Sequence, residues 1–268
     1  MTVAMDDALH RAHVSVVIPT LNEAQNIGHV LATLPDGVFE VVLVDGGSTD
    51  GTVEAARAAR ADVRVVRQPR TGKGDAMIAG FAACRGDAVV MLDADGSADG
   101  AEIPRFVDAL LEGADLAKGS RFLGDGGSSD ISPIRRAGNR MLCSTVNLLF
   151  GTHYTDLCYG YNAAWRSSLA NLSLDCRGFE VETLLNIRSA KAGLRVTEVP
   201  SFEAERLHGR SNLRPVRDGC RALRTILRER FRGTGSETWE PRLAHELAGS
   251  LLAEAPEDGA QATAEASL

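Results

Sequence analysis

The chain has 268 residues, of which 44% are hydrophobic and 24% are charged. This length and composition support one large α/β domain with a real core, with or without short appendages. The net charge of −7 argues against non-specific nucleic-acid binding, so no nucleic-acid partner is expected. The charge is uneven, because residues 206–232 hold nine arginines and two acids whereas residues 233–268 hold seven acids and one arginine.

Five cysteines occur without C-x-x-C spacing, which argues against a zinc site or a disulfide framework and favours reduced thiols. No long apolar stretch follows the first charged residues, so no signal peptide is expected. A run of about 18 apolar residues is also missing, so no membrane-spanning helix is expected. We therefore predict a cytoplasmic protein whose only membrane contact would be peripheral, on the inner face of the cell membrane.

Apolar, β-branched stretches alternate with stretches of helical spacing in the first half of the chain. Strands are predicted at 14–18, 39–44, 63–66, 88–92 and 115–118, and helices at 23–34, 50–60, 72–84 and 102–111. This alternation predicts βαβ units and a mostly parallel central sheet flanked by helices. Residues 1–12 are predicted to be a flexible leader.

The second half of the chain is less regular. Residues 124–132 are rich in Gly, Ser and Asp and predict a mobile loop. Helices are predicted at 133–150 and 215–231, and an edge strand at 195–199. Residues 13–232 are assigned to one domain. The composition of residues 233–268 predicts an acidic, disordered tail.

Two carboxylates, Asp93 and Asp95, directly follow the apolar run 88–92. The carboxyl ends of strands face the crevice in which open α/β sheets bind ligands. Because neighbouring carboxylates repel each other, this position favours a bound cation. Mg²⁺ or Mn²⁺ fits a site made of carboxylate and diphosphate oxygens. The sequence therefore predicts a metal site that holds a nucleotide-diphosphate compound.

Three further segments lie where a strand gives way to a helix. Residues 19–23 are placed to meet a base or ribose, although Asn22 is equally suited to cap a helix. The glycines after Asp45 allow close approach to a ligand, and the alternative is a well-capped βα turn. Lys73, between two glycines, is placed to meet a phosphate with help from the helix N-terminus.

In this order and spacing, the motifs resemble those of the family 2 glycosyltransferases of GT-A fold, most closely the polyprenyl-phosphate (dolichol-phosphate) mannosyl- and glucosyltransferases. The matching segments are 16–23, 44–52, 72–74, 93–95, 119–122, 155–157, 159–161, 206 and 208–213. The resemblance implies a metal-dependent, inverting transfer of a hexose from a nucleotide-diphosphate sugar to a polyprenyl phosphate. GDP-mannose is the first donor expected and UDP-glucose the second.

The resemblance also implies which residues bind the donor. The expected set is Pro19, Thr20, Asn22, Glu23, Asp45, Gly47, Lys73, Asp93, Ala94, Asp95 and Ser211. Within it, Pro19, Glu23 and Asp45 would hold the nucleoside, while Lys73 and the metal-binding aspartates would hold the diphosphate.

The catalytic residues implied by the resemblance are Asp95, Arg121, Asp156 and Arg206, to which Glu180 is added as a candidate base. Arg121 and Arg206 would meet the acceptor phosphate or the departing diphosphate, and Asp156 would line the sugar site. A phosphate acceptor needs only cationic positioning, because its second pKa of about 6 leaves it largely dianionic at neutral pH. A hydroxyl acceptor needs a base, for which the candidates lie in residues 178–182, and Glu180 is the one chosen. The alternative for Glu180 is a carboxylate that stabilises a helix N-terminus.

Two positions depart from the related lipid-linked enzymes. Ser97 stands where these commonly have glutamine, and Asn162 stands where they often have arginine. Both departures bear on the donor sugar more than on the reaction class. Two alternatives stay open: a soluble glycosyltransferase for a hydroxyl-bearing metabolite, and a non-catalytic nucleotide-sugar-binding protein. A nucleotidyltransferase is disfavoured, because a clear glycine-rich N-terminal phosphate loop is missing.

Two predicted helices have the pattern of interfacial helices. Arginines recur every three or four residues at Arg210, Arg214, Arg217, Arg221, Arg224 and Arg228, beside the apolar stripe Val216, Cys220, Leu223 and Leu227. On a helix this forms a basic face next to an apolar one, which favours contact with anionic lipid. Residues 133–150 offer a second such helix. The alternative is an ordinary packed helix with a solvated basic face, paired with the acidic tail.

Overall fold

The computed structural model describes residues 7–232. The strands are β1 Val14–Thr20, β2 Glu40–Asp45, β3 Arg64–Arg67, β4 Ala88–Met91, β5 Leu116–Ser120, β6 Gly127–Ser128, β7 Asn162–Trp165, β8 Val196–Pro200 and β9 Phe202–Glu203. The α-helices are α1 Asp7–Arg11, α2 Ala24–Ala32, α3 Thr52–Ala59, α4 Lys73–Ala83, α5 Ile103–Leu111, α6 Pro133–Phe150, α7 Arg166–Ala170, α8 Val181–Lys191 and α9 Pro215–Phe231. A 3₁₀ turn, Gly100–Glu102, precedes α5.

Seven of these strands form one sheet in the order β3-β2-β1-β4-β7-β5-β8. All neighbours run parallel except β7, which is antiparallel to both β4 and β5. The register sets Thr20 of β1 level with Asp45 of β2. The carboxyl ends of β1, β2 and β4 therefore meet at one edge of the sheet, where the predicted binding motifs follow.

The apolar strand residues alternate between the two faces of the sheet, as the period of two requires. Val16 and Ile18 pack with α1, α2, α3 and α5 on one face, whereas Val17 packs with α4, α7 and α8 on the other. A third apolar cluster joins α6, α8 and α9, in which Val146 and Ile226 are fully buried. This cluster fixes both predicted interfacial helices on the domain.

The strands and helices predicted between residues 14 and 118 are confirmed, with bounds that differ by at most two residues. The helices 133–150 and 215–231 and the position of β8 at an edge of the sheet are also confirmed. No helix among the described residues is long and apolar enough to cross a membrane.

Three expectations need correction. The flexible leader is wrong for residues 7–12, because α1 packs Ala8 and Leu9 into the core. The expected mobile loop 124–132 contains β6, which pairs with β9. The strand β7 was not expected, because Asn162 and its alanine neighbours have low β propensity; it forms through pairing with β4 and β5 on both sides. The predicted tail 233–268 lies outside the described residues.

Gly80 tests how closely α4 packs on the sheet. Alanine would favour the helix by about 1 kcal/mol, but a Cβ at this position would overlap the side chain of Val17 and lie 3.1 Å from Val44 Cγ2. Overpacking a core costs about 1–3 kcal/mol. We expect Gly80→Ala to lower the free energy of unfolding by about 1 kcal/mol in urea denaturation, as the difference of these two effects.

The matched control is Gly138→Ala in α6, where a Cβ would meet no described atom within 4 Å. This variant should gain about 0.5–1 kcal/mol from helix propensity alone. Equal gains in both variants would contradict the close packing of α4 on β1.

Candidate active site

A cleft of about 780 Å³ lies at the edge where β1, β2 and β4 end. Ten residues of the predicted site line it: Pro19, Thr20, Glu23, Lys73, Asp93, Ala94, Asp95, Arg121, Arg206 and Ser211. Five other predicted residues are not among the described residues that line it: Asn22, Asp45, Gly47, Asp156 and Glu180. The cleft continues from the sheet edge to the space between α6 and α9.

Lys73 is the centre of a partly buried group of charges in the cleft. Its Nζ lies 2.7 Å from Asp93 Oδ1 and 2.7 Å from Glu182 Oε1. Burial alone would lower the pKa of Lys73, but these two carboxylates raise it above its ordinary value. Lys73 is therefore a fixed cation that faces the predicted metal site.

Glu182 was not among the predicted site residues. It is buried in the first turn of α8, and burial raises the pKa of its carboxyl although Lys73 opposes this. The sequence did offer a signal, because Glu182 lies in the same segment, residues 178–182, as the candidate base Glu180. Only the fold tells the two glutamates apart, because Glu182 faces Lys73.

The glycines of the Gly72-Lys73-Gly74 segment have a packing role that the sequence did not reveal. A Cβ on Gly72 would overlap the carbonyl oxygen of Arg177, and one on Gly74 would lie 3.0 Å from the carbonyl oxygen of Cys176. The Gly74 N–H donates to Arg177 O over 2.9 Å. The glycines thus let the segment before α8 approach the start of α4.

Gly160 leaves room beside the ion pair between Lys73 and Asp93. A Cβ on this residue would lie 2.8 Å from Asp93 Oδ2 and 2.8 Å from Lys73 Nζ. The Tyr159-Gly160-Tyr161 motif therefore leaves the space next to Asp93 clear of any side chain at its central position.

The second predicted metal ligand, Asp95, faces Arg206. Arg206 binds both carboxylate oxygens of Glu23, at 2.8 and 3.0 Å, and its Nε lies 3.5 Å from Asp95 Oδ2. That Nε is buried and has no hydrogen-bond partner within residues 7–232. Burial would lower the pKa of Arg206, but Glu23 and Asp95 raise it. A cation with an unused donor in a cleft suits an anionic ligand.

We name the six residues that share these contacts the cleft-edge cluster: Glu23, Lys73, Asp93, Asp95, Glu182 and Arg206. Its four carboxylates exceed its two cationic side chains, which leaves a formal charge of −2. A negative cluster repels a diphosphate unless a cation is bound as well.

The residues present fit a divalent cation. The side chains of Asp93 and Asp95 are 35% and 22% exposed, so their oxygens reach the cleft. Ser97 donates its N–H and its hydroxyl to Asp95 Oδ1, which holds this carboxylate in place. Within the part of the chain that is described, no three His, Cys, Asp or Glu side chains are grouped to hold a metal ion. The two aspartates would therefore bind Mg²⁺ or Mn²⁺ together with oxygens of the ligand.

Arg121 and Asp156 form a buried pair beside the cleft. Arg121 Nε and Nη2 donate to the two oxygens of Asp156 over 2.7 and 3.0 Å, and Nη1 donates to Glu203 over 3.0 Å. Asp156, expected to line the sugar site, is fully buried behind Arg121. Because three carboxylate contacts occupy the guanidinium of Arg121, this pair positions the cleft wall in the present structure.

The loop after β2 is tied to the loop after β1. Asp45 accepts hydrogen bonds from the N–H groups of Gly47 and Ser48. Asn22, in a left-handed conformation with φ of 57°, accepts from the Thr49 N–H. The N-cap residue of α2 is Glu23, and the Asn22 side chain binds Thr49 instead, so the capping alternative for Asn22 is wrong. These hydrogen bonds fix the backbone of the two loops at this edge of the sheet.

Glu180 has the environment of a helix-terminal carboxylate. Its Oε1 accepts from the N–H groups of Arg177 and Gly178, and its Oε2 lies 3.6 Å from Arg221 Nη1. These contacts lie at the start of α8 and favour the alternative in which the carboxylate stabilises the helix N-terminus.

Of the two positions that depart from the related enzymes, Ser97 binds Asp95 as described above. Asn162 is buried, and its side-chain amide donates to the Tyr159 carbonyl.

Comparison with known proteins agrees with this arrangement. The sequence profile described as "Glycosyl transferase family 2" matches residues 15–173. Glycosyltransferase AglJ of Haloferax volcanii is 36% identical, over 77% of this chain and 68% of the relative. The undecaprenyl-phosphate mannosyltransferase of Micrococcus luteus is 34% identical, over 75% of this chain and 87% of the relative.

A solved structure is similar as well. Glucosyl-3-phosphoglycerate synthase of Mycobacterium tuberculosis, crystallised with Mn²⁺, uridine diphosphate and glucosyl-3-phosphoglycerate, superposes with a TM-score of 0.68. It is 27% identical, and the match covers 85% of this chain and 84% of the synthase.

The fold and the site define an α/β enzyme of the GT-A type, which confirms the expected fold class. The chain belongs to glycosyltransferase family 2. It is therefore a glycosyltransferase, and the resemblance found in its sequence motifs is confirmed.

The buried pair of Arg121 and Asp156 predicts a pH-dependent loss of stability. Burial alone would raise the pKa of Asp156, but the Arg121 guanidinium holds it below its ordinary value. The carboxylate therefore stabilises the fold above the pKa of the unfolded chain, about 3.9, and this stabilisation is lost as the pH falls further. We expect Asp156→Asn to cost about 3 kcal/mol at pH 7, because it leaves a buried charge short of a partner.

Urea denaturation of the variant and the unmodified chain at pH 7 and at pH 3 measures this effect. The difference between them should shrink at pH 3. Asp125→Asn is the matched control, since the Arg105–Asp125 pair, at 3.4 Å, is exposed and should contribute little. A stability difference for Asp156→Asn that is the same at both pH values would contradict the role of the ion pair.

Proposed function

We propose that this enzyme transfers a hexose from a nucleotide-diphosphate sugar to a polyprenyl phosphate in the presence of Mg²⁺ or Mn²⁺. Mannose, carried by GDP, is the first expectation for the sugar, and glucose, carried by UDP, is the second. Inversion at the anomeric carbon is expected from the family. The products would be a lipid-linked hexose and a nucleoside diphosphate.

The observation that carries this proposal is the shape and chemistry of the cleft. One end is the cleft-edge cluster, and the same cleft is lined at its other end by apolar residues of α6 and α9, among them Met141, Leu142, Val216 and Leu223. Met141 and Val216 are also exposed. A charged end that opens into an apolar channel suits an acceptor with a phosphate head and a hydrocarbon tail.

The chain's own residues suit the departing diphosphate. The bond between the anomeric carbon and the donor diphosphate breaks, and a bond to an acceptor phosphate oxygen forms. Lys73 and Arg206, the two cations of the cleft-edge cluster, would hold the diphosphate as its charge develops. Asp93 and Asp95 would hold the divalent cation, which supplies further charge neutralisation when bound.

The acceptor chemistry also suits this site. A phosphate monoester is largely dianionic at neutral pH and needs no general base, because its second pKa is about 6. Glu180, the candidate base for a hydroxyl acceptor, is engaged with backbone N–H groups at the start of α8. This arrangement favours a phosphate acceptor over a hydroxyl acceptor.

Peripheral contact with the inner face of the cell membrane would bring the lipid to the cleft. Leu148 of α6 and Phe231 of α9 are 84% and 85% exposed. Arginines accompany both helices, and exposed apolar side chains beside arginines favour an interface with anionic lipid. The name of the Micrococcus luteus relative supports the same acceptor class.

A second candidate function is transfer to a small phosphorylated metabolite with a hydroxyl group. The observation in its favour is the similarity to glucosyl-3-phosphoglycerate synthase, which was also crystallised with phosphoglyceric acid. In that case UDP-glucose would be the donor, and the apolar end of the cleft would have no role in the reaction.

An acceptor assay separates the two candidates. The enzyme is incubated with Mn²⁺, GDP-mannose or UDP-glucose, and either undecaprenyl phosphate or 3-phosphoglycerate. We expect a lipid-linked hexose from one of the donors. Glycosylated 3-phosphoglycerate without any lipid product would contradict the lipid acceptor and favour the second candidate.

A charge placed at the apolar end sharpens this assay. Val216→Glu should lower the rate of lipid glycosylation about tenfold, because a charge at an apolar contact costs more than about 1.4 kcal/mol, while donor binding stays unchanged. Phe39→Glu is the control, since Phe39 is also exposed but precedes β2 at the amino-terminal edge of the sheet. Equal rates for Val216→Glu and the control would exclude the apolar end as the lipid site.

A further inference from the structure

Neither the sequence motifs nor the family resemblance predicts the ion pair between Lys73 and Glu182. We propose that Glu182 is a positioning residue that holds Lys73 in the cleft, ready for the donor diphosphate when Asp93 binds the divalent cation. This inference rests on the proposed function, because it assumes a donor with a diphosphate.

Of the two carboxylates that contact Lys73, that of Glu182 is the more deeply buried. The side chain of Asp93 is 35% exposed, that of Lys73 is 14% exposed and that of Glu182 is only 8% exposed. Exposure thus falls from the cleft inward, and the Lys73 ammonium bridges the two carboxylates at 2.7 Å each. Glu182 also lines the cleft, but its carboxylate is the least exposed of the three charged groups.

Backbone contacts also hold the helix that carries Lys73 next to the helix that carries Glu182. Lys73 is the first residue of α4, and Glu182 is in the first turn of α8. The Gly74 N–H donates to Arg177 O, and the two glycines beside Lys73 allow the segment 176–178 to pass in contact. The start of one helix is therefore fixed to the segment that leads into the other, which sets the distance between the two side chains.

The need for a second partner follows from the roles of Asp93. Asp93 cannot neutralise Lys73 fully and also serve as a ligand of a divalent cation. When Asp93 binds the cation, Glu182 remains as an anionic partner of Lys73 and holds its ammonium group in the cleft. Without Glu182, Lys73 would pair with Asp93 alone and would compete with the cation for that carboxylate.

A double-mutant cycle tests whether Glu182 acts through Lys73. The dissociation constants of UDP and GDP are measured by calorimetry with Mn²⁺ for the unmodified chain, Glu182→Gln, Lys73→Met and the double variant. We expect Glu182→Gln to weaken binding of the preferred nucleotide about tenfold, as loss of one charge-assisted contact implies. In the Lys73→Met background the same change should alter the dissociation constant less than about twofold.

Equal weakening by Glu182→Gln in both backgrounds would overturn the proposal, because Glu182 would then act on the fold and not through Lys73. Unchanged binding in Glu182→Gln would overturn it as well. Failure of the unmodified chain to bind either nucleotide would contradict the proposed function and, with it, this inference. If the unmodified chain binds one of the nucleotides, the proposed function is supported, and the cycle then tests the role of Glu182 on its own.

Two further variants guard against simple loss of folding. Glu40→Gln is the matched control, because Glu40 is a poorly exposed glutamate paired with Arg64 at 2.9 Å, at the opposite end of β2. It should change the dissociation constant less than about twofold. If Lys73→Met does not fold, Lys73→Gln replaces it; because the glutamine side chain keeps a donor for Glu182 but no charge, Glu182→Gln should then weaken binding less than in the unmodified chain.

Discussion

An excess of carboxylate charge at the edge of the sheet is the constraint on which the site depends. Four carboxylates of the cleft-edge cluster face two cationic side chains, and this set lies where β1, β2 and β4 end. Glu23 follows β1, Asp93 and Asp95 follow β4, and α8 supplies Glu182; Lys73 bridges Asp93 and Glu182, and Arg206 bridges Glu23 and Asp95. An anionic donor can approach such a set only together with a cation.

Close backbone contacts make this arrangement possible. Gly72 and Gly74 let the segment before α8 meet the start of α4, and Gly160 leaves room beside Asp93. Behind the cleft, Arg121 and Asp156 hold a wall in place through a buried pair. The glycines and the buried ion pairs therefore serve the same end, which is to fix the charged side chains in a cleft that stays open to a ligand.

The sequence predicted the parts of this structure that depend on local pattern. The alternation of strands and helices up to residue 118 follows from periodicity, and the position of Asp93 and Asp95 at the edge follows from their place after a buried strand. The short helix α1 has too few residues to show a period. The strand β7 forms because its two neighbours pair with it.

Contacts between distant segments explain the rest of the differences. Glu182 and Lys73 are 109 positions apart, and Asp156 and Arg121 are 35 positions apart. A sequence pattern identifies such residues as polar, but it does not predict which of them contact each other in the fold. For the same reason the sequence pattern does not distinguish Glu180 from Glu182, although Glu182 pairs with Lys73 and Glu180 lies beside Arg221.

The most direct test of this account measures whether the charge excess requires a divalent cation. Calorimetric titration of UDP and of GDP into the unmodified chain is compared in Mn²⁺ and in EDTA. The account predicts that the preferred nucleotide binds at least about tenfold more tightly with Mn²⁺, a difference of about 1.4 kcal/mol or more, and that Asp93→Asn/Asp95→Asn removes this difference. Equal affinity in Mn²⁺ and in EDTA would contradict the account.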